Sequence, residues 1–402
     1  MGKHTTQQSV PPIAADDGPE RFAPALLAQS EGARQAYFEQ CLIEHPALAQ
    51  ACRAVRQAIC MPGQDTLYRR AACMVLVIGP SRVGKTTLIR LLEEELLQRA
   101  QIRMQEDPGY VPLVSITTDG SGRGRFEWKD YYLSILRQLR DPFLQVKKPA
   151  TSARDLCEAT EEALRLRKTE VILVDEAHHL AKAAWSGRKL QDHLDHLKYF
   201  ENKVGISHVL VGTYEMRPFR TVNAQLACRS VDVHFPRYDA TKADERALFK
   251  SVLWALQRQL PVAHEPDLLS HWEFLYARSL GCVGLLKQHL NQALGLALAE
   301  QAPTVTLAHL RATALHKEKV ELAWEAILDG ERGFLETEDA DLALLHKLGL
   351  SRPSTSDPRT GTASPLASAI SPRLGGRVPG ERAPERDVVG LSHESLARGR
   401  LT

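Results

Sequence analysis

Cysteine is sparse and unpaired in this 402-residue sequence: the seven at 41, 52, 60, 73, 157, 228 and 282 form no CxxC pair and no ligand spacing. That excludes a disulfide framework or a zinc ribbon, and predicts buried thiols in a reducing cytoplasm. Long apolar runs are missing too, and the polar first twenty residues have no signal-peptide core. A soluble, cytoplasmic protein with no membrane partner is expected. Net charge is nearly absent, since 51 basic residues face 49 acidic ones. Any contact with nucleic acid must therefore come from a local basic patch, not from a bulk positive field. No internal repeat is present.

What is there is ordinary globular composition, 44% apolar and 25% charged, over a length that suits two domains plus tails. Residues 1–20 hold Gln, Thr, Pro and Asp and predict a disordered lead-in. Residues 21–60 carry helical spacing in Ala33 to Leu42 and Pro46 to Ile59, so a small helical N-terminal element is expected, its role open. From 61 to 239 short β-rich runs alternate with helical patterns: Met74 to Ile78, Val111 to Thr117, Val171 to Val174, His208 to Val211 and Val231 to Phe235. Five strands separated by helices predict an α/β core with a mostly parallel sheet covered on both faces. Residues 240–350 read as helices only, opening with a cap at Thr241 and continuing through Leu285 to Leu298 and Leu307 to Leu328. The last segment, 351–402, has eight Arg, five acidic residues and no Lys among Pro, Ser and Gly, which predicts a disordered tail.

The run Gly79-Pro80-Ser81-Arg82-Val83-Gly84-Lys85-Thr86, followed by Thr87, is a full GxxxxGKT between an apolar strand and a helical Leu88-Ile89-Arg90-Leu91-Leu92. Glycines let the backbone turn tightly with its amides inward, and the helix N-terminus adds positive potential where phosphate charge would sit. Lys85 is expected on the β- and γ-phosphates of ATP, and the Thr86 hydroxyl on Mg²⁺. Glu170 to Glu176 forms an apolar strand that delivers two acids at its end. A buried parallel strand of this kind places its acids at the ligand-binding edge of the sheet. Asp175 fits a Mg²⁺-water ligand, and Glu176 the group that orients and polarises an attacking water, so ATP hydrolysis is expected.

With the third strand His208 to Val211 running into Gly212-Thr213, this order resembles the AAA+ ATPases. The resemblance implies a P-loop AAA+ core with a five-stranded parallel sheet, an α-helical lid after residue 240, and Thr213 as sensor 1; a turn-capping Thr is the alternative. It also implies an arginine supplied to a neighbouring subunit, for which Arg229 is the candidate, with Arg217, Arg220 and Arg237 competing. More narrowly, four stretches resemble the TnsC and TniB transposition regulators, relatives of the IstB helper ATPases: Val77 to Thr86, Val174 to Leu180, Leu210 to Thr213, and Gly281-Cys282-Val283-Gly284-Leu285-Leu286-Lys287. Many AAA+ lids carry a sensor-2 arginine where this chain has Gly284. The resemblance covers about residues 60 to 330. It implies an ATP-bound self-oligomer, ring or filament, that assembles on duplex DNA without sequence preference. Its further partners would be a transposase and a TniQ-like targeting protein, with hydrolysis driving disassembly.

Arg123, Arg125 and Lys129 lie on a Gly-rich stretch after the second strand, where the resembled family inserts DNA-facing loops. Such cations can follow a phosphate backbone without reading bases, although Glu127 and Asp130 beside them also suit an ordinary charged loop. Asp175-Glu176-Ala177-His178 spells a DEAH box, but a helicase of that class needs a second RecA-like domain, and only helices follow residue 240. His178 with His179, and Asp192-His193-Leu194-Asp195-His196, make no convincing metal set and read as polar helix faces. Trp254, Trp272 and Trp324 are expected in the core of the helical domain. The alternatives to a transposition regulator are a signalling adaptor that never touches DNA and a relative of helicase loaders or replication initiators.

Overall fold

A computed structural model describes residues 22, 24–59, 74–118, 126–141, 152–183, 187–222, 224–334 and 338–350. The expected lead-in, the tail, Arg123 and Arg125, and Cys60 and Cys73 lie outside the described residues. The chain divides into two units, Met1–Glu336 and Thr337–Thr402.

The first unit opens with α1 (Pro24–Leu27), α2 (Glu31–Gln40) and α3 (Pro46–Ala58). Ser30 caps α2 by accepting from the Ala33 amide, and Pro46 starts α3 where its missing N–H costs nothing. The two helices bury different faces. Phe38 of α2 joins the apolar cluster of the helical domain, whereas Leu48, Ala51, Cys52 and Val55 of α3, at helical spacing, join a cluster under the sheet.

The core then runs β1 (Met74–Ile78), α4 (Lys85–Glu106), β2 (Leu113–Thr117), α5 (Trp128–Gln138), α6 (Ala153–Leu166), β3 (Val171–Asp175), α7 (His178–Ala183), α8 (Gly187–Val204) and β4 (Ser207–Gly212). A 3₁₀ segment (Tyr214–Arg220), α9 (Ala224–Ala227) and β5 (Ser230–His234) complete it. The strands form one parallel sheet in the order β2-β3-β4-β1-β5. Their apolar residues alternate between faces: Val75, Val77, Leu173 and Val211 meet α3 and α4, while Leu76, Ile78, Val174 and Leu210 meet α5, α6 and α8. Burial on both faces is why β1, β3 and β4 read as unbroken apolar runs. The second run starts two residues later than its composition suggests, because Pro112 has no amide for the ladder. At the outer edge of β2 the Gln138 side chain covers Ser115, donating to its carbonyl and accepting from its amide.

The helical part continues with α10 (Ala243–Gln259), α11 (Trp272–Ser279), α12 (Val283–Ala299), α13 (Leu307–Ala312) and α14 (Lys317–Arg332). Thr241 is not the cap of α10. Lys242 holds that position, and the Thr241 hydroxyl donates to Asp239 Oδ1 at 2.8 Å. The expected Leu307–Leu328 helix is two, broken after Ala312. Trp254 and Trp324 are not core: both are exposed, beside the Arg258 and Arg237 guanidinium groups at 5.1 and 4.7 Å, while Trp272 packs against the cluster. Cys52 and Cys282 are buried as expected, but Cys228 is exposed. In the second unit, α15 (Glu338–Lys347) precedes a left-handed Gly349. No helix among the described residues is long and apolar enough to cross a membrane.

Candidate active site

The strand register sets the site. Ile78 pairs with Gly212 and Thr117 with Asp175, so the loops after β1, β2, β3 and β4 leave the sheet at one edge. Gly79 follows β1 and has no room for a side chain, its Cβ position falling 2.1 Å from the Phe235 carbonyl oxygen. Arg82 is held at φ 62°, a left-handed conformation that costs a non-glycine residue about 1–2 kcal/mol. Gly84, at φ 118°, is the N-cap of α4. Val83 is buried against the sheet, which fixes the loop between two exposed residues, Ser81 and Arg82, and the helix. Lys85 is buried, and its ammonium donates to the carbonyls of Pro80 at 2.6 Å and Gly79 at 3.3 Å. Burial lowers its pKa, opposed chiefly by the Glu176 and Asp175 carboxylates.

The Thr86 hydroxyl donates to Asp175 Oδ2 at 3.0 Å, joining the helix after the loop to the end of β3. Thr87 is the next residue of α4. Asp175 Oδ1 accepts from the Glu176 amide at 2.8 Å. Burial raises the Asp175 pKa against these two hydrogen bonds. Glu176 sits at φ 54°, a strained conformation for a residue with a side chain. Interaction with the His178 ring is the main reason its carboxyl is held below the usual glutamate range. Residue types and placement fit a magnesium nucleotide: a buried cation, a turn that admits no side chain, a hydroxyl and a carboxylate together, and a second acid alongside.

Thr213 follows β4, the strand between β1 and β3, so it stands between the loop and the acids. Its backbone is extended, and its hydroxyl donates to Glu215 Oε2 at 3.4 Å, placing it at the start of the 3₁₀ segment. Thr118 belongs to no motif of the sequence. At the end of β2 its hydroxyl donates to the carbonyls of Asp175 at 3.1 Å and Glu176 at 2.8 Å, propping the turn that carries both acids. The signal lay in sheet order, which brings β2 beside β3.

Arg229 is exposed just before β5. Ser230 pairs with Met74, the first residue of β1, so Arg229 lies at the sheet edge opposite the loop and is not brought to its own chain's site. The other arginines are engaged within the chain. Arg217 pairs with Asp329 at 3.0 Å, Arg220 pairs with Asp232 and donates to the Gly333 carbonyl, and buried Arg237 pairs with Glu331 at 3.0 Å.

The helical part reaches the loop through the start of α12. A Cβ at Gly284 would lie 2.3 Å from the Arg82 carbonyl oxygen, so no sensor-2 side chain fits there. One turn on, Lys287 donates to the Glu39 and Cys41 carbonyls at 2.7 and 2.6 Å, fastening α12 to the end of α2. Lys129 stands exposed in the first turn of α5. Trp128 donates to Nδ1 of His193, on α8, at 3.0 Å and its ring centroid lies 4.4 Å from that of His196. No cluster of three or more His, Cys, Asp or Glu placed for a metal ion occurs among the described residues.

Residues 69–219 match the family model of the AAA domain. The core is a P-loop AAA+ fold. Among solved structures the chain is similar to Cdc6p of Pyrobaculum aerophilum, with a TM-score of 0.50 at 13% identity over 69% of this chain and 70% of that one. It is also similar to the ORC2 protein of Aeropyrum pernix, with a TM-score of 0.48 at 15% identity over 71% and 73%, and to Drosophila ORC, with 0.45 at 13% over 86% and 88%. At such identities the likeness concerns the fold. No curated protein matches the sequence. The AAA+ core thus accounts for the five-stranded sheet and the helices that cover it.

Proposed function

We propose that this chain hydrolyses ATP with Mg²⁺ and uses the cycle to hold and release an oligomer on duplex DNA, as a regulator of DNA transposition. The observation that carries the hydrolysis is the Thr86 hydroxyl held 3.0 Å from Asp175 with Glu176 next in the chain. Thr86 and Asp175 would hold the metal, which when bound supplies positive charge against the phosphates. Loop amides and the Lys85 ammonium would hold the phosphate oxygens, and Glu176 would orient and polarise a water.

Assembly is supported by the arginines. Arg229 is exposed at the edge away from its own site, where it can serve a neighbour, while Arg217, Arg220 and Arg237 are engaged within the chain. Loss of the γ-phosphate would remove the contact that distinguishes the assembled state. Lys129, with Arg123 and Arg125, is the proposed DNA contact. A transposase and a TniQ-like targeting protein are the proposed further partners, on the strength of the Gly281 to Lys287 motif whose Gly284 meets Arg82. A second reading, an initiator-type ATPase, is favoured by the fold likeness to Cdc6p.

Electron microscopy of the full chain with a non-hydrolysable ATP analogue and duplex DNA tests this. Glu176→Gln is expected to trap ATP-bound oligomers on DNA, with ATP turnover reduced by about 100-fold or more. Normal turnover by that variant overturns the role of Glu176, and no DNA-bound assembly overturns the regulator. Retention of a replicative helicase instead of a DDE-type transposase favours the initiator-type reading.

A further inference from the structure

His178 is a buried imidazole beside the proposed water-polarising acid, and the hydrolysis scheme above gives it no task. It opens α7, three residues after the metal-holding aspartate. Its Nδ1 lies 3.0 Å from Glu176 Oε2, a close charge-pair approach outside hydrogen-bond alignment, and on the other side of the ring Nε2 lies 3.6 Å from Glu215 Oε2. An imidazole has a nitrogen on each side, and both are donors in the imidazolium form, so one side chain can face two carboxylates at once. Glu215 is itself shared. Its Oε2 accepts from the Thr213 hydroxyl at 3.4 Å and pairs with Lys182 Nζ at 2.9 Å.

The ring has little freedom. Its backbone nitrogen would lie 3.0 Å from a Cβ at Gly212, and the His179 ring stacks on it with centroids 4.4 Å apart. Glu176 by contrast is 40% exposed, and an exposed carboxylate samples several rotamers unless something fixes it. An acid that must aim a water loses rate when its geometry loosens.

We infer that His178 is a positioning residue: it fixes the Glu176 carboxylate and ties it, through Glu215, to Thr213 at the end of β4. The inference rests on Glu176 acting on the attacking water. It also gives the 3₁₀ segment a hold on the acid. Tyr214, between Thr213 and Glu215, is packed so closely on α14 that a Cβ at Gly330 would fall 2.0 Å from its ring. A shift of α14 would thus reach Glu176 through three side chains.

Two measurements on the full chain test this. In steady-state ATP hydrolysis, His178→Ala is expected to lower kcat about tenfold and leave KM for magnesium-ATP within about twofold, since orientation acts on the chemical step and not on binding. His178→Asn, whose amide keeps a polar group near the Nδ1 position, is expected to recover most of that loss. In a Glu176→Gln background, His178→Ala is expected to add nothing. An equal loss in both backgrounds, or a rise in KM with kcat unchanged, overturns the role. The second measurement needs no turnover. The ring ¹⁵N resonances of His178 are expected to move on Glu176→Gln and on Glu215→Gln, and resonances unmoved by either variant overturn the contact. Wild-type protein that fails to hydrolyse ATP while those resonances move counts against the hydrolysis reading and against the role in it, yet leaves the contact standing.

Discussion

Gly284, the second residue of α12, meets the Arg82 carbonyl of the loop after β1 so closely that a Cβ would fall 2.3 Å from the oxygen. The helical domain therefore rests backbone to backbone on the loop. Arg82 is already in a left-handed conformation, so the loop has little room to yield.

Adding one methyl there is expected to separate the two. Gly284→Ala should weaken binding of a fluorescent ATP analogue by about tenfold, the scale of an overpacking cost of 1–3 kcal/mol. Gly284→Arg, despite restoring the residue many AAA+ lids carry, should bind worse than Gly284→Ala. Fluorescence polarisation gives both affinities, and an arginine variant that binds ATP better than the parent would show that the lid is not seated this way.

Arg229 gives the opposite expectation, a change invisible in the isolated subunit. Because its side chain is exposed at the far edge of the sheet, Arg229→Ala should leave ATP affinity intact and stability within about 0.5 kcal/mol. Turnover by assembled protein should fall about 10²- to 10³-fold, as expected for removal of a transition-state cation. Mixing Arg229→Ala with Lys85→Ala subunits should restore part of it, since intact pockets then meet intact arginines. ATPase assays over a range of mixing ratios check this, and a strictly proportional response would exclude the shared site.

His45 reports on the N-terminal element. It is buried between α2 and α3, its Nδ1 2.9 Å from the Tyr238 hydroxyl, and burial pushes its pKa down to about 4. A folded-state pKa below the unfolded value near 6.5 means that the unfolded chain binds the proton first. The stabilisation is therefore complete above about pH 6.5 and is lost as pH falls towards 4, on the order of 2–3 kcal/mol. His234, also pushed down to about 4, contributes in the same direction. In urea denaturation followed between pH 7 and 4.5, His45→Gln should flatten the dependence, and a variant with the parent's slope would show that another group titrates.

Legibility in the sequence followed how local each requirement is. Gly79 to Thr86 stood out because the turn proposed to cradle phosphates is contiguous, and Asp175 and Glu176 because they end an apolar strand. The strands did too, because burial on two faces leaves little but apolar residues in β1, β3 and β4. Contacts between distant segments were hidden. Phe38 and Leu48 have similar spacing, yet one faces the helical domain and the other the sheet. Thr118 meets the turn of the two acids, and Glu215 meets His178, only once the strand order is known. Trp254 and Trp324 misled because spacing says which residues share a helix face and nothing about whether that face is covered.

The glutamine that covers Ser115 has a consequence for how copies of this chain could join. A strand laid against β2 would need the very amide and carbonyl that Gln138 already occupies in the middle of that strand. Copies that join on this side must dock through side chains, so that edge of each subunit's sheet can detach again without tearing a shared ladder.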